Sequence, residues 1–198
     1  STNCETVRRA GNKKSSRHRR KPRSPVNRTA VLNVVGLSRR HIGDHTPAIS
    51  KFLSLGQAAI IDPAFPAVTC TAQSDYLTGK KPTEHGIVGN GWYNHELAEV
   101  TFWKQPNQTV QASNIWNELN HTYSAFTCAN MFWWYNMYSS ADWSLTPRPM
   151  YPADGRKVFD IYTQPASIRT EIKRDLGEFP FPGFWGPAAG VTTPQGSA

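Results

Sequence analysis

Thr69 stands where a hydroxyl, a helix start and two tight loops converge, within DPAFPAVTCTAQSDYLTGKKPTEHGIVGN at 62–90. It follows a loop bracketed by Pro63 and Pro66 and opens a short run that closes at Gly79. A threonine hydroxyl is a poor nucleophile at neutral pH and attacks only when a base or a cation takes or weakens its proton. A helix N-terminus beside it supplies oriented N–H groups and partial positive charge, which suits a phosphate or sulfate ester. The chemistry this favours is attack on a phosphate ester. The opposing reading is a threonine that only caps its helix.

The elements that must position Thr69 follow from the residues on either side. Val31–Leu37 (VLNVVGL) is a short β-branched run ending near a glycine and predicts a buried strand of a parallel sheet. Thr46 to Gly56 predicts a helix, with Thr46 as N-cap, Pro47 at the first position, and Gly56 past the end. Ala58–Ile61 predicts a second strand. Strand, helix, strand over this length is a βαβ unit and favours a doubly wound α/β sheet. The loops at Gly36–Arg40 and Pro63–Thr69 would then share the crevice where such folds bind ligands. Further on, Ser113 predicts the cap of a helix through Ile115, Trp116 and Leu119, and Ser124–Met131 predicts another strand. From Phe132 the chain is aromatic and broken by prolines, which predicts a long ordered insertion. Its Trp133-Trp134-Tyr135 cluster reads either as a stacking platform for a base or as packed core or a subunit interface.

Charge divides the 198 residues unevenly. Residues 1–28 hold ten Lys/Arg against one acid, a balance of +9, and the remainder holds twelve against thirteen, a balance of −1. The basic segment predicts a disordered tail that contacts a polyanion or an assembly, or the remnant of an organelle-targeting sequence. It has no apolar h-region, so an organelle or the cytoplasm is favoured over secretion. No apolar run is long enough to cross a membrane as a helix. Cys4, Cys70 and Cys128 are too scattered for a disulfide framework or a zinc-binding pair, and read as reduced thiols. His41 and His45 flank Asp44 at a loosely metal-like spacing but read as a solvated loop.

With these residues in view, the chain resembles the type I phosphodiesterase/nucleotide pyrophosphatase branch of the alkaline phosphatase superfamily. The likeness runs from Val31 to about Asn94, with an ungapped core: PxFPxxT at Pro63–Thr69, Thr78-Gly79, Pro82, and HGIVGN at His85–Asn90. The resemblance implies an alkaline-phosphatase-like, doubly wound, mostly parallel α/β sheet over residues 29–198, incomplete in this chain. It implies Thr69 as nucleophile and as a contact to one of two zinc ions, and Asn90 as a contact to a phosphoryl oxygen. The substrate would be a phosphate ester or a nucleotide-like small molecule. His85 is not a ligand in the family and reads as a structural, hydrogen-bonding histidine.

The chain also departs from that pattern. The family places a metal-binding Asp immediately before the glycine closing its first strand, where this chain has Val35 before Gly36. Cys70-Thr71-Ala72 replaces the Asn-containing segment after the nucleophile. Asp154 and Asp160, the nearest downstream carboxylates, do not follow the family's ligand pattern. Two readings stand. One is a metal-dependent phosphodiesterase. The other is a catalytically inactive relative serving as a structural or binding subunit.

Overall fold

The computed structural model describes residues 28–184. The basic segment, apart from Arg28, lies outside them, and so does Cys4. The chain divides into two compact units, Ser1–Ala59 and Ile60–Ala198.

In the first unit, helix α1 (Pro47–Leu53) forms where the sequence predicts, with Pro47 at its first position. Its ends differ from expectation. Thr46 precedes α1, but its hydroxyl does not cap it. Instead Thr46 Oγ1 donates to the His41 carbonyl at 2.7 Å and accepts the Gly43 N–H at 3.0 Å, which ties up the preceding turn. At the other end Ser54 closes the helix, and the Leu55 and Gly56 N–H groups bond to the Phe52 and Leu53 carbonyls. Those carbonyls are satisfied before any left-handed glycine is needed.

Neither predicted flanking strand forms. Val31, Leu32 and Val35 are mostly exposed, and a turn closed by the Leu37 N–H to the Val34 carbonyl breaks the run, with Gly36 at φ +80°. Ile60 and Ile61 are likewise exposed and unpaired. A parallel strand needs neighbours on its edges and cover on its faces, and the described residues give these two segments neither. The expected βαβ unit is therefore absent here, and the shared crevice inferred from it loses its basis.

The second unit is mixed α/β. Helices α2 (Thr69–Thr78) and α3 (Pro82–His85) lead into a hairpin of β1 (Gly91–Asn94) and β2 (Glu99–Phe102). Asn94 Oδ1 accepts the Glu96 and Leu97 N–H groups and so folds the hairpin's turn. Helix α4 (Ile115–Thr122) follows, with Asn114 rather than Ser113 in the cap position. A three-stranded sheet then has the order β3 (Ala129–Met131), β4 (Trp143–Pro147), β5 (Ile161–Gln164). β3 and β4 run parallel, and β4 and β5 antiparallel. This small mixed sheet is not the doubly wound, mostly parallel sheet expected, since β3–β4 is the one parallel ladder among the described residues. Of the predicted strand Ser124–Met131, only the last three residues pair. A turn closed by the Phe126 N–H and the Tyr123 carbonyl occupies its start.

The aromatic stretch after Phe132 is ordered and packs inward. Tyr135, Asn136, Met137 and Ser139 are buried. Asn136 Nδ2 donates to the Asn130 carbonyl at 2.9 Å and to the Leu145 carbonyl at 3.2 Å, stitching this segment to β3 and β4. A small core of Cys70, Ile87 and Tyr135, flanked by Val110 and Trp134, joins it to α2.

Helices α5 (Ile168–Leu176) and α6 (Phe181–Phe184) complete the described chain. Asp160, at the entry to β5, accepts Arg169 Nη2 at 2.6 Å and pairs with Lys173 Nζ at 3.1 Å, so α5 is held to the sheet by charge. Burial works to raise the Asp160 carboxyl, but Arg169, the Ile161 N–H and Lys173 outweigh it and hold the group at about 2. A carboxylate depressed in the folded state adds stability that is present above its unfolded pKa and lost as pH falls through the folded value. Asp160→Asn should therefore destabilise the chain by about 1–2 kcal/mol at neutral pH. In urea unfolding followed by circular dichroism, the gap to wild type should close between about pH 4 and pH 2. An unchanged gap across that window would remove the ion pair as its cause.

Candidate active site at the start of helix α2

Helix α2 begins at Thr69, with Val68 in the extended cap position and no side-chain cap from either residue. Thr69 is thus the first helical residue rather than the cap, and it is half-buried. The missing cap comes from twenty residues downstream, where Asn90 Oδ1 accepts the Cys70 N–H at 2.9 Å. That bond satisfies one of the orphan donors of the first turn and brings the two sequence-predicted site residues together. At its far end α2 closes on Gly79 in the left-handed region, φ +65°, as the sequence predicts.

The loop carrying Asn90 is shaped by residues with little freedom to vary. Gly86 ends α3 at φ +79°, a backbone conformation that favours glycine, and a Cβ there would also displace the end of the Gln111 side chain, 2.9 Å away. His85 is fully buried, and both ring nitrogens are committed. Nδ1 accepts the Ile87 N–H at 3.0 Å, and Nε2 lies 2.6 Å from Asp75 Oδ1. A nitrogen that accepts carries no proton, so the ring hydrogen sits on Nε2 and is donated to Asp75. This is the structural histidine the sequence predicts, with a partner on α2 that the sequence does not name. Ile87 is buried against Cys70 and Tyr135. Beyond Asn90, Gly91 pairs with Phe102, and a Cβ at 91 would meet the Phe102 ring at 2.5 Å.

Cys70 follows Thr69 but does not share its chemistry. Burial pushes its thiol up to about 11, with the adjacent Tyr135 hydroxyl pulling the other way. Tyr135 is itself raised far above its ordinary value by burial and by Cys70. Both stay neutral at physiological pH and serve as packing. Trp134 is fixed rather than free, its backbone N–H on Gln73 Oε1 at 2.6 Å and its ring N–H on the Lys104 carbonyl at 2.9 Å. Of the aromatic cluster, Tyr135 is core and Trp134 is a brace on α2. An aromatic the sequence reading passed over lies closer to the site. Trp103 donates its backbone N–H to the Asn90 carbonyl at 2.9 Å, remains about half exposed, and stands edge-on to Trp134.

The family model for type I phosphodiesterase/nucleotide pyrophosphatase matches residues 29–193. The chain belongs to that family. The match extends well past residues 31–94, where the motif residues lie. No curated protein and no solved structure gives a match. As a type I phosphodiesterase family member the chain falls among phosphodiesterase/nucleotide pyrophosphatase-like hydrolases, whose substrate class is phosphate esters and nucleotides. No helix among the described residues is long and apolar enough to cross a membrane.

Members of this type I phosphodiesterase family generally depend on metal, and the described residues do not assemble a donor set for it. No group of three or more His, Cys, Asp or Glu among them is placed to hold an ion. Four of the individual candidates are engaged elsewhere. Asp160 is paired with Arg169 and Lys173, Asp154 with Arg156, Asp75 with His85, and His41 Nδ1 with Ser38.

The geometry separates two roles that sequence reading assigned to Thr69 alone. Asn90→Ala should cost about 1–2 kcal/mol of stability, because it uncaps α2 at a part-buried site. Thr69→Ala should cost only about 0.5 kcal/mol, since no cap is lost. Denaturant midpoints of the two variants check this, and equal losses would contradict the capping assignment.

Proposed function

We propose that this chain is a phosphodiesterase/nucleotide pyrophosphatase-like hydrolase in which Thr69 Oγ1 attacks phosphorus and Asn90 holds a phosphoryl oxygen. The observation that carries the proposal is the Asn90–Cys70 bond. It fixes Asn90 by its oxygen, so its amide N–H donors are the part left for a ligand, and no acceptor among the described residues takes them. A phosphoryl group beside Thr69 would meet those donors and the positive end of α2 together. In the step itself, the Thr69 oxygen forms a bond to phosphorus as the ester oxygen leaves in line with it. Water then displaces threonine from the phospho-threonine. Trp103, beside Asn90 and half exposed, supports an aromatic or nucleoside group on the ester.

Removal of the Thr69 proton is the demanding part. In the family this is work for metal, and the resemblance implies two zinc ions. Among the described residues, no side chain accepts a hydrogen bond from Thr69. This, with Val35 in the family's Asp position, favours a second reading: an inactive relative that keeps the anion-binding start of α2 and acts as a structural or binding subunit. The basic segment 1–28 supports a polyanion or assembly contact under either reading.

Hydrolysis of bis(p-nitrophenyl) phosphate with zinc supplied separates the readings. Thr69→Ala should abolish turnover and Thr69→Ser should keep part of it. Asn90→Asp should remain folded, because a carboxylate caps a helix start well, yet lose about 10²-fold in kcat/KM by setting charge against charge. Equal, negligible turnover in wild type and all three variants would establish the inactive reading. Val35→Asp offers a second check, with raised zinc content expected if a latent metal site exists and zinc near zero in both forms if none does.

A further inference from the structure

We infer that Asp75 and His85 form a positioning pair that sets Asn90 against the Thr69 end of α2. The inference rests on the reading of Asn90 as the phosphate contact and assigns what holds it in place. The loop from His85 to Asn90 grips α2 twice. His85 Nε2 holds Asp75 at 2.6 Å, and Asn90 Oδ1 holds the Cys70 N–H at 2.9 Å. The two anchors are five residues apart on the helix, about 7.5 Å along its axis.

Only four residues lie between the two gripping side chains, and they have little slack. Gly86 is confined by its left-handed backbone and by Gln111, whose N–H bonds the His85 carbonyl at 3.0 Å. Ile87 is fully buried and bonded back to His85 Nδ1. Gly89 is buried as well. A fully buried histidine must find a partner for each ring nitrogen, and which elements supply those partners decides what the ring holds together. This one spends both nitrogens, one on the helix that carries Thr69 and one on the loop that carries Asn90. Neither Asp75 nor His85 touches the reacting atoms. Their effect reaches the site through the position of the Asn90 amide.

Amide hydrogen exchange in the full chain tests this, because the Cys70 N–H reports directly on Asn90. The Ala72 N–H, bonded to the Val68 carbonyl at 2.9 Å in the same turn, reports on the helix alone. In Asp75→Ala and in His85→Asn, which keeps an acceptor for Ile87 but does not reach Asp75, Cys70 should lose about tenfold in protection. Ala72 should change by less than about threefold. Asp75→Asn, which keeps an acceptor for His85, should retain the Cys70 signal. Adding Asp75→Ala to Asn90→Ala should cost Cys70 nothing further, since the bond is already gone. Protection of Cys70 that survives in Asp75→Ala, or Cys70 and Ala72 falling together, would overturn the inference and leave a purely structural pair. Should His85→Asn fail to fold, Asp75→Ala, at a part-exposed position, carries the test. Binding of orthovanadate as a phosphate analogue is measured alongside. Binding by wild type that falls by the same factor in Asp75→Ala as in Asn90→Ala supports the pair's role at the site. A wild type that binds none overturns the phosphate assignment of Asn90, while the exchange result still decides what holds its side chain.

Discussion

The hydrogen bond from the Cys70 N–H to Asn90 Oδ1 is the constraint from which the site takes its form. A helix start leaves donors unpaired, and burial makes an unpaired donor costly. This chain offers no side-chain cap at Val68 or Thr69, so the cap must come from elsewhere in the sequence. Supplying it from Asn90 draws the HGIVGN loop onto α2 and leaves the Thr69 hydroxyl free of capping work. The same bond takes the Asn90 oxygen and leaves its amide hydrogens without an acceptor among the described residues. One interaction thus stabilises the helix start, leaves the Thr69 hydroxyl out of the cap and fixes the Asn90 side chain by its oxygen.

The rest of the second unit supports that contact in layers. Ile87 and Cys70 pack with Tyr135, and Trp134 ties the aromatic stretch to Gln73, one turn along α2 from Thr69. Trp103 bonds the Asn90 carbonyl, so the β1–β2 hairpin closes on the same residue. The high pKa of Cys70 belongs to this packing: the sulfur is buried because the helix start is buried. The Asp160 ion pairs perform a comparable service farther along the chain, where charge helps to seat α5.

What was legible in the sequence was local. The start of α2 at Thr69 and its stop at Gly79 follow from neighbouring residues, as do the Pro47 start of α1 and helix α4 to within one residue. The family is legible because its motif is continuous from Pro63 to Asn90. What was not legible depended on partners. Val31–Leu37 and Ala58–Ile61 have the composition of parallel strands, but composition does not provide a neighbouring strand. β4, ending in Pro147 within a stretch broken by prolines, pairs on both edges although nothing local marks it. The Asn90 cap spans twenty residues, and the Asp75 partner of His85 lies ten residues back. A fully buried histidine needs a polar partner, so the need was readable while the partner was not. The metal donors implied by the family were absent from the sequence pattern first, at Val35, and the described residues do not assemble them elsewhere.

The central claim is that Thr69 itself becomes bonded to phosphorus. Acid quenching of the full chain during reaction with bis(p-nitrophenyl) phosphate and zinc, followed by mass analysis of its peptides, tests this most directly. The account predicts an aryl-phosphoryl adduct on the peptide containing Thr69, and on no other. Product formed without an adduct, or an adduct on a different residue, would contradict it.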